Sequence, residues 1–223
     1  MAEKNLLILR LEGVLQAWDA TSKWDERGTE DFPTKSGVVG LLGCALGLNR
    51  GDPELAALNA ALTIAVRADR RGERISDYQT VNPLPGYHLL TAEGKKRENG
   101  IISKRSYLQD ACFTVFLQMD EFWYSRLVAA LKEPKWCLYL GRKACVPSRP
   151  VLECEAPSYS GLTEALRLYP PAKRAEFPMP YETELADDSL ISMTKPDDLL
   201  NANRGYARRR VWRGLIREEA SCI

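Results

Sequence analysis

Apolar and polar residues alternate from Asn5 to Glu12 and the run ends at Gly13, which predicts a first β-strand. Gln16 to Asp31 carries Trp18, Trp24 and many charges without a period, and reads as a surface loop. The chain then turns apolar over Phe32 to Leu48, FPTKSGVVGLLGCALGL, a helix whose start is marked by Pro33, Thr34 and Ser36. Gly37, Gly40, Gly43 and Gly47 recur at steps of three and four, so one face lacks side chains and is expected to pack closely on a sheet. Asp52 caps a second helix to Ala61 with Pro53 at its first position, and Thr63 to Ala68 is a strand.

From Asp77 to Gln109 the pattern breaks into turn signals, Asn82-Pro83, Pro85-Gly86, Glu93-Gly94 and Asn99-Gly100, among basic residues. This predicts an extended hairpin projecting from the body. Ala111 to Gln118 returns to strand character, Met119 to Lys132 is an amphipathic helix stopped by Pro134, and another short strand is expected near Tyr139. Strand, helix, strand, hairpin, strand, helix, strand fits a ferredoxin-like or RNA-recognition type of sheet. Beyond residue 150 the chain is acidic and proline-rich, and a small, less regular C-terminal domain is expected, with Tyr206 to Ile216 in a last strand pair. The expected fold is therefore α+β, with residues 1–149 carrying the inserted hairpin at about 77–109.

Composition adds boundaries. At 223 residues the chain can bury a sizeable core. Its longest apolar run, about a dozen residues, is well short of the roughly 20 that cross a bilayer, and the start of the chain has no signal-peptide pattern, so a cytoplasmic protein without membrane contact is expected. Six cysteines form no C-x-x-C pair and read as reduced core residues; with one histidine, neither a zinc site nor any other cofactor is expected. The net charge of +1 hides segregation. Arg204 to Arg217 has six Lys/Arg and no acid, Lys132 to Arg149 has five against one, and Arg67 to Arg105 has nine against five, whereas Pro150 to Asn203 has ten acids and four bases. The basic blocks are either ordinary solvated faces or parts of one groove for a nucleic-acid backbone.

The start of the glycine helix has two readings. Free first-turn N–H groups beside Lys35 suit phosphate, yet most capped helices bind nothing. A nucleotide P-loop does not fit, because Lys35-Ser36 precedes the glycines. In the hairpin, Tyr78, Tyr87 and His88 lie among bases, which suits base stacking beside phosphate neutralisation.

Four stretches together resemble the CasD family, a subunit of the type I-E CRISPR Cascade: LILRLEGVLQAW (Leu7 to Trp18), FPTKSGVVGLLGCALGL, KRSYLQDACFTV (Lys104 to Val115) and YLGRKACVP (Tyr139 to Pro147), with DYQTV (Asp77 to Val81) a weaker fifth. The resemblance covers roughly the first two thirds of the chain. It implies a modified ferredoxin-like domain with a thumb-like hairpin, and a non-catalytic, antiviral-defence role in binding the 5′ handle of CRISPR RNA. The implied partners are that handle, a CasC-like backbone subunit, a CasA-like large subunit and, through the complex, target DNA. Carried over by motif, Lys35, Ser36 and Gly37, Lys104, Arg105 and Tyr107, and Tyr139, Arg142 and Lys143 would contact the RNA. The alternative is a metal-independent endoribonuclease of repeat RNA, as in the type I-C branch, for which His88 with Tyr87 would supply the acid–base chemistry.

Overall fold

The structure, a computed structural model, describes residues 5–20, 25–91, 93–97, 100–155, 158–199 and 205–218. β1 (Asn5–Glu12) leads through short β2 (Leu15–Gln16) and β3 (Glu26–Arg27) to α1 (Lys35–Leu46), α2 (Pro53–Ala61) and β4 (Thr63–Arg70). Next come β5 (Glu73–Val81), β6 (Leu89–Leu90), β7 (Lys96–Arg97), β8 (Ile101–Gln109), β9 (Cys112–Met119) and α3 (Glu121–Lys132). β10 (Leu152–Glu155), α4 (Leu162–Leu168), β11 (Met179–Thr183), β12 (Ile191–Leu199) and β13 (Tyr206–Ile216) complete the chain.

Seven strands form one antiparallel sheet in the order β10-β1-β9-β4-β11-β13-β12. Alternation in β1 sends Leu7, Leu9 and Leu11 into the core shared with α1 and α3, and Leu6 and Ile8 into a second core under α4. The helices start where the sequence places stops: Thr34, Asp52 and Asp120 each accept a first-turn amide, and Pro53 opens α2. The expected hairpin is present, β5 and β8 pairing from Glu73↔Gln109 to Val81↔Ile101. Its base is braced by β2 and, in parallel, by β3, while its outer part exposes Tyr78, Leu84, Tyr87 and Leu90.

Three expectations change. The residues beyond 150, expected as a small, less regular C-terminal domain, join the main sheet: β10 borders β1, while β11, β13 and β12 extend the same sheet past β4, and β12–β13 is the expected strand pair. The segment around Tyr139 is a turn-rich loop rather than a strand, held by Leu140 N donating to Cys145 O at 2.7 Å and Cys145 N to Arg142 O at 2.8 Å. The Gln16–Asp31 segment is not all surface: Gln16 and Trp18 are buried, the Gln16 amide donating to Leu11 O and Ala111 O, and Trp18 Nε1 to Gln16 Oε1. Trp24 lies outside the described residues.

A buried polar cluster pins the C-terminal part to the sheet. Asp69, fully buried, accepts from Arg10, from Arg67 Nε at 2.7 Å, from Thr114 Oγ1 at 2.9 Å and from the Ala172 amide at 2.6 Å. Arg67 also donates to Leu166 O and Tyr169 O, closing the end of α4 over the sheet. Arg67 is tolerated here because the Asp69 carboxylate and backbone carbonyls satisfy it, and Arg10 because Asp69, Thr114 and Glu153 take its terminal nitrogens, its buried Nε being left without a partner.

Candidate nucleic-acid interface

The first turn of α1 is already occupied by an anion of the protein's own. Thr34 Oγ1 accepts from Gly37 N at 3.2 Å, and Asp197 Oδ2 from β12 accepts from Lys35 N at 2.9 Å. Asp197 also takes a two-pronged contact from Arg209, Nε at 2.7 Å and Nη2 at 2.9 Å. The Lys35 ammonium, buried, donates to Glu184 Oε1 at 3.0 Å and lies 3.9 Å from Asp198. Beside them Glu182 takes Lys195 and Arg213, whose cations lie 5.5 and 5.2 Å from the Phe32 ring centroid. Burial acts to lower the Arg209 pKa, but Asp197, by hydrogen bond and charge, and then Glu184 and Glu182 hold it above the ordinary value. The expectation that Lys35 meets phosphate is therefore corrected: its charge is spent inside the protein. The neutralising groups come from the acidic stretch after residue 150, Glu182, Glu184 and Asp197 facing the inward bases of β12, β13 and α1.

The outward flank of the same helix is open. A cleft of about 1160 Å³ runs along it, lined by Ser36, Gly37 and Gly40 from α1 and by Tyr139, Arg142 and Lys143 from the loop after α3. Two motif stretches meet to build its wall. Gly141 has φ +85°, and a Cβ there would lie 1.7 Å from Ala17 O, so only glycine lets the YLG loop close on LQAW. Ala17 N donates to Leu140 O at 3.1 Å across this junction. Gly37 faces Trp18, whose ring a Cβ would approach to 2.9 Å. Gly43 likewise meets Leu55, so the glycines of α1 accommodate Trp18 and α2 rather than a sheet, and the expected glycine face is divided among different neighbours.

The other expected site residues separate by position. Arg142 donates to Ser106 O at 2.9 Å, Arg27 O at 2.9 Å and Gly28 O at 2.7 Å, and its guanidinium lies 4.7 Å from the Tyr107 ring centroid. It ties the hairpin base to the cleft wall. Tyr107 is buried against it, so the expectation of base contact by that ring is corrected. Lys104 is exposed on β8; Arg105 is half-buried, its Nε donating to Ser103 Oγ at 3.3 Å, and it pairs in register with Arg27. Neither Lys104 nor Arg105 lines the cleft, but Arg27 does. His88 and Tyr87 are exposed on the hairpin, apart from the cleft lining.

Arg27, Arg50 and Tyr206 line the cleft without having been expected there. Arg27 lay in a charged segment without a period, Arg50 follows the Gly47 helix stop, and Tyr206 opens the basic C-terminal block; only its basic–aromatic composition was a signal. Among the described lining residues the cations are Arg27, Arg50, Arg142 and Lys143 and the carboxylate is Asp19, so the cleft favours an anionic ligand. Burial, then a hydrogen bond between its hydroxyl and Cys44, raises the Tyr139 pKa, against the opposing charge of Arg50. The phenol therefore stays neutral. Among the described residues no three His, Cys, Asp or Glu side chains converge as a metal site, and no helix is long and apolar enough to cross a membrane.

The comparisons agree with the motifs. The chain is 37% identical over 166 residues to the CRISPR system Cascade subunit CasD of Escherichia coli (strain K12), covering 69% of this chain and 73% of that protein. Its fold matches a chain of a solved CRISPR RNA-guided surveillance complex with TM-score 0.81 and 31% identity, over 97% of this chain and 92% of the other. A crystal structure of a Cas protein matches with TM-score 0.72 and 31% identity, over 96% of each chain. The family described as CRISPR-associated protein (Cas_Cas5) matches residues 6–213. With nearly the whole described chain inside that match, the protein belongs to the Cas5 family of CRISPR-associated proteins.

Proposed function

We propose that the chain is a non-catalytic subunit of a type I-E Cascade surveillance complex and holds the 5′ handle of CRISPR RNA in the cleft beside α1. The observation that carries this reading is the cleft itself: it gathers residues of three separated family motifs, LQAW, TKSG and YLGRK, around an excess of cations. Arg27, Arg50 and Lys143 position the phosphates, while Tyr139 and Tyr206 offer ring faces to unstacked bases. Ser36 and Gly37 stay in the contact set; Lys35 and Tyr107 leave it, and Arg142 becomes a positioning residue. Lys104 and Arg105 extend the basic surface along the hairpin base. In a complex, a backbone subunit and a large subunit flank this chain, and target DNA reaches it through them.

The strand order supports the ferredoxin-like reading of the core. β1, β4, β9 and β10, the strands of a strand-helix-strand-strand-helix-strand unit, lie as fourth, first, third, second, all antiparallel, with β5–β8 inserted between the second and third.

The test is a mobility-shift titration of the full chain with RNA transcribed from the repeat of its own CRISPR locus, in chelator. Binding that weakens steeply with salt and leaves the RNA intact is expected. Absence of binding at low salt would overturn the handle-holding role, and cleavage lost in His88→Ala would establish the nuclease alternative.

A further inference from the structure

Residues 25–31 form a strap between the cleft and the hairpin and are bonded to both. On the cleft side Trp18 N donates to Thr29 Oγ1 at 2.9 Å and Glu30 N to Trp18 O at 2.6 Å, and the Arg27 side chain lines the cleft itself. On the hairpin side β3 pairs in parallel with β8, and Lys104 N donates to Asp25 O at 2.9 Å. Past Arg27 the strap leaves that ladder, and its carbonyls need other donors. Two guanidiniums from different elements supply them. Arg142, from the loop after α3, donates to Arg27 O, to Gly28 O and, on β8, to Ser106 O, with its plane against the Tyr107 ring. Arg74, from β5, donates to Thr29 O at 2.6 Å and to Asp31 Oδ1 at 2.7 Å. Three successive strap carbonyls are therefore held by two arginines, one rooted in the cleft wall and one in the hairpin. Each uses separate donors of its fork at the same time, which a lysine ammonium on a flexible stem does not reproduce.

We propose that the strap couples the cleft to the hairpin, with Arg142 and Arg74 as its positioning residues. RNA held on Arg27 and Lys143 restrains the strap, and the two clasps pass that restraint to β5 and β8, so that filling the cleft fixes the hairpin and the exposed side chains Tyr78, Leu84, Tyr87 and Leu90 that it carries. The two states are a hairpin base clasped to the strap and one released from it. This rests on the RNA-holding reading and adds to it a link between two surfaces. Such a link is reciprocal: whatever factor RNA contributes to holding the hairpin, the held hairpin contributes to RNA affinity.

The experiment is amide hydrogen exchange of the full chain, Arg142→Lys and Arg74→Lys, each free and saturated with RNA transcribed from the repeat of its own CRISPR locus, beside a salt titration of RNA binding. In the unsubstituted chain RNA is expected to slow exchange of the β5 and β8 amides about fivefold, the lower end of coupling between sites. Both variants should lose most of that slowing. Arg142→Lys should bind RNA weaker by the same factor of about five and Arg74→Lys by about threefold, with the salt slope unchanged because every charge is kept. Arg74 does not line the cleft, so its effect on RNA travels through the strap. A merely structural role would lower the melting temperature yet leave the RNA-induced slowing in place. If Arg142→Lys fails to fold by circular dichroism, Arg74→Lys, whose side chain is 48% exposed, carries the comparison. Slowing retained in the folded variants, or RNA bound by the unsubstituted chain without slowing the hairpin, overturns the coupling while leaving RNA holding intact. If the unsubstituted chain binds no RNA, the RNA-holding reading falls and the coupling with it.

Discussion

On the inner side of the α1 start, Lys35, Lys195, Arg209 and Arg213 face Glu182, Glu184 and Asp197; on the outer flank, Arg50 and Lys143 face a cleft whose lining includes one carboxylate among the described residues. The residue types are the same and the positions are neighbours. What differs is desolvation. The inner cations have exchanged water for carboxylates and serve as fasteners between α1 and the β12–β13 pair, whereas the outer ones retain solvent and can exchange it for phosphate. Basic composition alone therefore does not locate a nucleic-acid site; the carboxylates that reach each base decide.

The strongest way to break this contrast is on the inner side. Asp197→Ala strips Arg209 and the Lys35 amide of their buried acceptor, and is expected to lower the unfolding free energy by about 3–5 kcal/mol, read by urea denaturation. A loss under about 1 kcal/mol would show that the cluster does not fasten the β12–β13 pair to α1. Next in size is Gly141→Ala, which combines a left-handed backbone with a clash at Ala17 O and should cost about 2–3 kcal/mol in the same assay. Unchanged stability there would mean that the loop opens freely and that its contact with LQAW does not define the cleft.

These positions also show what the sequence made legible. Local signals were strong where physics is local: the period-two run of β1, the Asp52-Pro53 start of α2, and the turn dipeptides that announced the hairpin. The glycines of α1 announced close packing but not its partners, because Trp18 and Leu55 reach them from different elements. The inward turn of Lys35 depends on Asp197, 162 residues away, and no local pattern encodes such a pairing. The same distance explains why residues beyond 150 read as a separate domain: short strands rich in acids and prolines look irregular until β4 and β13 offer them edges. Arg27 and Arg50 were invisible as site residues for a like reason, being brought to one rim by the fold.

On the outer side the effects are smaller. Tyr139→Ala should weaken binding of handle RNA about tenfold, whereas Tyr139→Phe, which keeps the ring and loses only the hydroxyl held by Cys44, should stay within about threefold. Equal losses in both would make the hydroxyl, not the ring, the contact. Smallest is a chemical contrast between surface and core thiols. Cys137 is exposed, while burial first, and then Glu12, push the Cys112 thiol up to about 11. At mildly alkaline pH, alkylation of the native chain should therefore label Cys137 and spare Cys112, as mapped by peptide mass spectrometry. Because the folded thiol keeps a proton that the unfolded one loses, Cys112 adds stability that is complete below the unfolded value and lost as pH rises through about 11. Rapid native labelling of Cys112 would contradict the closed core on that side.

The most direct test of the account is the salt dependence of RNA binding in two variants. Each phosphate contact on a single strand contributes about 0.7 to the slope of log affinity against log salt. The Arg50→Ala/Lys143→Ala double variant is predicted to have a slope shallower by about 1.4, while Lys35→Met, measured where it remains folded, keeps the slope of the unsubstituted chain. A slope lost in Lys35→Met and kept in the double variant would contradict the account, placing the RNA on the side of α1 that the fold has filled with carboxylates.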